Sequence, residues 1–213
     1  MSAKRAMIAA VAVTMSVLGA SAVAQDQKNE LTGILGRTFI SDQGIRGPNA
    51  PVLNPFVRSG KGLTFEINYA RALIVRPIFS ISAEVPAVFN LDEDLASGGD
   101  VVPRDYRQIF VAPSARLNLF PQTAVSPWIS LGGGFAHFSE SNNLNYFGSN
   151  PGSSSTSGVL QGGLGLDVRL WRRFSIRGQV RDFWSGTPAL PLADTGKTRQ
   201  HNYFVGGGVL WHF

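Results

Sequence analysis

The chain has 213 residues, a length that suits one domain, and a formal net charge of +5 with only 15% charged residues, against roughly 25% in an average soluble domain. It contains no Cys, which excludes disulfides and a lipoprotein-type cleavage. Two of the positive charges are Lys4 and Arg5; without them the +5 falls by two to +3, too little to point to nucleic acid.

The first predicted element is a leader. Lys4 and Arg5 precede an apolar run from Ala6 to Leu18, and small residues follow, ending Ala22-Val23-Ala24. This order of charged, apolar and A-x-A segments predicts a secretory signal peptide over residues 1–24, leaving one domain over residues 25–213. The apolar run is shorter than the roughly 20 residues of a spanning helix.

Eight strands are predicted after the leader, on period-two alternation of apolar and polar residues. The first is Glu30 to Phe39, with Leu31, Gly33, Leu35 and Phe39 on one face. The second, Gly62 to Ala70, sets Leu63, Phe65, Ile67 and Tyr69 against Thr64, Glu66 and Asn68. The third, Ile78 to Phe89, sets Phe79, Ile81, Ala83 and Val85 against Ser80, Ser82 and Glu84. The fourth runs from Tyr106 to Leu119 and carries Arg116 opposite its apolar face. The fifth is Trp128 to Phe138; the uncharged stretch Leu117 to Ser139 is long enough for a spanning helix, but Pro121, Pro127 and Gly132-Gly133-Gly134 break it into strand, turn and strand. The sixth, Val159 to Leu170, sets Leu164, Leu166, Val168 and Leu170 against Gly165, Asp167 and Arg169. The seventh, Phe174 to Phe183, sets Ile176, Gly178 and Val180 against Arg177, Gln179 and Arg181. The eighth, His201 to Phe213, places Tyr203, Val205, Gly207, Val209, Trp211 and Phe213 on one face and stops on an aromatic.

The links between these strands alternate in length. Long ones run Ile40 to Lys61, Asn90 to Asp105, Ser139 to Gly158 and Trp184 to Gln200; short ones lie near Arg71 to Pro77, Phe120 to Pro127 and Trp171 to Arg173. Short turns on one side and long loops on the other are the habit of transmembrane β-barrels. An even strand count leaves both ends of the chain on the short-turn side.

With its leader, its Gly-rich strands (Leu131 to Phe135, Gln161 to Asp167, Gly206 to Gly208), the segment RGQVRDF at Arg177 to Phe183 and its aromatic ending, the chain resembles the outer-membrane β-barrel proteins of the eight-stranded OmpA/OmpX-like type. The resemblance implies an all-β, eight-stranded antiparallel up-and-down transmembrane β-barrel in the bacterial outer membrane. It implies contact with outer-membrane lipid and lipopolysaccharide, a monomer, and no nucleic acid. Tyr203, Val205, Val209, Trp211 and Phe213 are similar to the C-terminal signal that such proteins present to the barrel assembly machinery.

Residues with chemistry of their own are few. His137-Phe138-Ser139 resembles the H-x-S spacing of outer-membrane lipid A deacylases, but Glu140 follows where Asn is usual, and the sixth strand offers no Glu to orient the His. His201 and His212 stand alone in sequence, so no metal site and no cofactor are expected. The Gly clusters sit inside alternating strands with no helix after them and do not form a phosphate loop. Arg172-Arg173 reads as a solvated turn.

The informative set is charged and faces away from the apolar side: Glu66, Glu84, Arg116, Asp167, Arg169, Arg177 and Arg181. An Arg on the lipid face at mid-membrane costs roughly 2–4 kcal/mol, whereas inside a narrow barrel such residues can pair. Counting outward from the turn near Arg172 sets Asp167 opposite Arg177. A soluble lipocalin-like barrel would have the opposite polarity, apolar within and polar outside. The sequence thus predicts a non-enzymatic barrel, plugged by polar side chains, with a structural or surface-interaction role for its long loops. A narrow channel and a lipid A-modifying hydrolase are the alternatives.

Overall fold

The computed structural model describes residues 28–40, 42–47, 56–59, 62–96, 105–140, 154–188, 196 and 198–213. The predicted signal peptide over 1–24 and the central parts of the four long links lie outside the described residues. Eleven strand segments occur among those described: β1 (Asn29–Ile40), β2 (Gln43–Gly44), β3 (Phe56–Ser59), β4 (Leu63–Val75), β5 (Phe79–Ala96), β6 (Asp105–Val111), β7 (Ser114–Leu119), β8 (Val125–Glu140), β9 (Ser154–Arg169), β10 (Phe174–Gly186) and β11 (Arg199–His212).

Eight staves close into an antiparallel barrel. Around the ring they run β1, β4, β5, β6 with β7, β8, β9, β10, β11, and β11 pairs back onto β1. That closing seam extends over eleven residue pairs, from Glu30↔His212 to Ile40↔Asn202. It is prolonged by Asn29 and Phe213, which exchange both backbone hydrogen bonds at 3.0 and 2.9 Å. Closure is what makes such a wall compatible with lipid, because each unpaired backbone group at an open edge costs several kcal/mol there.

The predicted fourth strand is in fact two segments, β6 and β7, forming one stave. The break falls at Ala112-Pro113: Pro113 has no N–H to give to the ladder. Register is kept across it, with Val111 opposite Phe135 and Ser114 opposite Gly132. The Ala112 N–H turns to the Pro86 carbonyl (3.3 Å) and the Gly133 N–H to the Pro113 carbonyl (3.1 Å). Several other strands outrun their predicted bounds, among them β4 to Val75, β5 to Ala96, β9 back to Ser154 and β10 to Gly186, and the upper part of β5 also pairs with β3, itself paired with β2.

Glycine is required at two opposite seams of the ring. A Cβ on Gly134 would lie 1.9 Å from the Val111 carbonyl oxygen, and one on Gly208 would lie 1.9 Å from that of Gly33. In both places the wall is drawn too close for any side chain.

Alternation along the staves separates two faces. Leu63, Phe65, Ile67, Leu131, Leu164, Ile176 and Val209 are all exposed on the outside, while Thr64, Glu66, Asn68, Arg116, Arg177 and Arg181 are buried within. A contiguous apolar surface beyond a few hundred Å² is not tolerated in water; as a belt around a closed barrel it is the lipid-facing wall.

Candidate functional site

The interior has two levels, named here from the end bearing the short turns (the turn end) to the end bearing the long links (the loop end). Nearer the turn end is a chain of ion pairs. Arg177 on β10 meets Asp167 on β9, its direct cross-strand neighbour, with Nε donating to Oδ1 and Nη2 to Oδ2, each at 2.7 Å. Arg177 also lies 3.8 Å from Glu30 on β1. Glu30 in turn accepts from Arg116 on β7. Arg116 reaches Glu84 on β5 at 3.4 Å, and Glu84 accepts from Arg181 on β10 at 2.8 Å. Arg181 is 3.3 Å from Glu66 on β4, which accepts from Gln179 at 2.6 Å. Carboxylates and guanidiniums thus alternate across the whole width of the barrel.

Trp128 stands at the centre of this level. The guanidinium carbons of Arg177, Arg181 and Arg116 lie 5.0, 5.2 and 5.9 Å from its ring centre, and its Nε1–H donates to Asp167 Oδ1 at 3.2 Å. The negative face of an indole is a good partner for a desolvated cation. The ring spaces three like charges that would otherwise crowd one another, while the carboxylates around them neutralise the group.

Nearer the loop end the interior changes character. Phe110, Phe138, Phe183 and Phe204 are buried there beside Ile34, Val88 and Val159. Phe110 stacks on Phe183 at 4.8 Å and meets Phe138 edge-on at 6.1 Å. Ile45, from the first long link, and Leu95, at the top of β5, are buried in the same cluster. The sequence pointed to polar and charged side chains in the interior; this aromatic level lies beside them and was not foreseen. Aromatic rings packed on one another need no polar partner, so inward position alone does not impose polarity.

Of the predicted inward charges, Glu66, Glu84, Arg116, Asp167, Arg177 and Arg181 come together in the ion-pair chain. Arg169 does not. It shares the inward phase of β9 but sits at the turn-end mouth, exposed, and donates to the Pro121 carbonyl oxygen at 2.6 Å. Glu30 and Trp128 belong to the network and were not predicted. The phase of Leu31 and Gly33 already turns Glu30 inward; Trp128 was invisible because an inward aromatic breaks the rule used to find inward residues.

The H-x-S pair, His137 and Ser139, lies on the outward phase of β8. His137 Nδ1 is 2.9 Å from Thr156 Oγ1, and Glu140 is on the opposite, buried face of β8. Tyr203, Val205, Val209, Trp211 and Phe213 all point outward from the closing strand, and the Trp211 and Phe213 rings lie 4.7 Å apart. Among the described residues no group of His, Cys, Asp and Glu is arranged to hold a metal ion.

No family model matches the chain, and no curated protein matches it in sequence. Solved structures do match it in fold. Neisserial surface protein A (NspA) is similar with a TM-score of 0.53 at 13% identity, over 87% of this chain and 97% of that one. The outer membrane protein OprG from Pseudomonas aeruginosa is similar with a TM-score of 0.50 at 14% identity, over 87% of this chain and 95% of that one. The architecture is that of the eight-stranded bacterial outer-membrane barrels.

Proposed function

We propose that this outer-membrane barrel is a closed scaffold that carries its long links as a surface for interaction, and that it is neither a pore nor a lipid A-modifying hydrolase. What supports this reading is the interior packing: a charged level spanning Asp167 to Gln179 and a buried aromatic level of Phe110, Phe138, Phe183 and Phe204 stand one above the other. Eight staves enclose an interior only wide enough for side chains, and both levels use it for that. Against the lipid A hydrolase alternative stands the pairing of His137 Nδ1 with Thr156 Oγ1.

The partners follow from the outer wall. Its apolar belt fits outer-membrane lipid, with lipopolysaccharide at the loop end. The closed ring leaves no stave edge to pair with a second copy, which supports a monomer. The outward aromatic row ending in Trp211 and Phe213 is the surface offered to the assembly machinery.

Orientation is tested with protease added to whole cells. Cuts are expected only within Ile40 to Lys61, Asn90 to Asp105, Ser139 to Gly158 or Trp184 to Gln200. Cuts confined to the short turns would place the interaction surface on the wrong side of the membrane.

A further inference from the structure

The turn-end mouth holds a cavity of about 330 Å³ whose lining includes Glu30, Ser126, Asp167, Arg169, Ser175 and His212. Four of these come from four successive staves. Ser175 on β10 is the direct cross-strand neighbour of Arg169 on β9, and His212 on β11 is that of Glu30 on β1. Between them, Ser175 Oγ lies 3.2 Å from His212 Nε2, and His212 Nδ1 lies 3.8 Å from Glu30 Oε1. The other carboxylate oxygen of Glu30 is taken by Arg116, which leaves Oε1 to face the imidazole.

We infer that Ser175 is a nucleophile for small carboxylic esters entering from the turn end, with His212 as its base. This goes beyond the role proposed for the loops and does not depend on it; it also departs from the non-enzymatic reading of the sequence, which treated His212 as isolated. A hydroxyl is a weak nucleophile until a base within hydrogen-bond reach takes its proton, and the base needs a third group to fix its tautomer. Ser175, His212 and Glu30 stand in that order. The 3.8 Å separation on the acid side is of the kind that closes when substrate is bound. Arg169, the cross-strand neighbour of Ser175, lines the same cavity; its Nη2 is held by the Pro121 carbonyl, and its remaining N–H groups are the donors offered to the developing oxyanion.

The step balances as acyl transfer. Ser175 Oγ bonds to the ester carbonyl carbon while its proton passes to His212 Nε2. The carbon–alkoxy bond then breaks, and the leaving alkoxide takes that proton and departs as the alcohol. Water, deprotonated by the same imidazole, attacks the acyl-serine; the carboxylic acid leaves and Ser175 regains its proton. Ser175 and His212 are the catalytic residues in this sequence, and Glu30 is a positioning residue acting through His212.

The test uses the full refolded barrel, with folding verified by heat-dependent gel mobility, and a fluorophosphonate probe whose fluoride leaves as a serine is phosphonylated. Peptide mass spectrometry is expected to place the adduct on Ser175, and Ser175→Ala to abolish it. His212→Gln should slow labelling by about 10²-fold or more. Glu30→Asp should keep a part of the rate that Glu30→Gln loses at equal folded fraction. Wild-type barrel that carries no adduct at Ser175, or a His212→Gln barrel that labels at the wild-type rate, overturns the inference.

Discussion

Arg177 and Asp167 face each other across the β9–β10 hairpin in a two-pronged ion pair, Nε to Oδ1 and Nη2 to Oδ2, both at 2.7 Å, with Arg177 wholly buried. Parallel N–H···O bonds of this kind fix both position and plane. Because Arg177 also approaches Glu30 and the Trp128 ring, this contact anchors one end of the chain of charges that crosses the barrel.

Removing one partner leaves the other charged and buried. Arg177→Ala or Asp167→Ala alone is therefore expected to destabilise the barrel by about 3–5 kcal/mol. The double variant should lose less than the two single losses combined, with a coupling of about 0.5–3 kcal/mol in a double-mutant cycle. Urea titration of refolded protein reads this out, and strictly additive losses would show that the pair is not a unit.

Trp128 is expected to matter for its ring more than for its N–H. Trp128→Ala takes the packing surface from three guanidiniums and opens a cavity, for a loss of about 3–5 kcal/mol. Trp128→Phe keeps a smaller face for the cations and gives up the bond to Asp167, a loss of about 1–3 kcal/mol. The same titration checks both; equal losses would assign the whole effect to the hydrogen bond.

The fold was legible because lipid enforces a clean alternation on the outer wall. In β4, Leu63, Phe65 and Ile67 against Thr64, Glu66 and Asn68 leave only one phase, and in the β9–β10 hairpin the tight turn near Arg172 sets Asp167 opposite Arg177. The interior was legible only where it is charged. At Phe183-Trp184 and Tyr203-Phe204 inward and outward residues are both aromatic, so period two disappears and the aromatic level with it. Glu30, His212 and Ser175 could not be joined by eye either, since the closing seam brings together residues from the two ends of the chain.

Backbone proximity makes a sharper prediction at the tight seams. Gly134→Ala and Gly208→Ala each drive a Cβ to within 2 Å of a neighbouring carbonyl oxygen, and each should prevent formation of the folded gel species. Gly33→Ala adds a Cβ with no atom within 4 Å and should fold as wild type does. A folded yield for Gly134→Ala or Gly208→Ala equal to that of Gly33→Ala would contradict this picture of the seams.

Deleting Phe213 removes two backbone hydrogen bonds to Asn29 and the ring that packs against Trp211. Outer-membrane levels of the chain ending at His212 are expected to fall, with the protein degraded before insertion. Membrane quantification on a strain carrying the truncation decides it; unchanged levels would make the terminal aromatic incidental.

The central claim is a closed interior, and planar-bilayer recording of the refolded wild-type protein tests it most directly. With the charged level from Asp167 to Glu66 and the aromatic level above it both in place, no steady channel current is expected. A large, stable conductance from the unmodified barrel would contradict it.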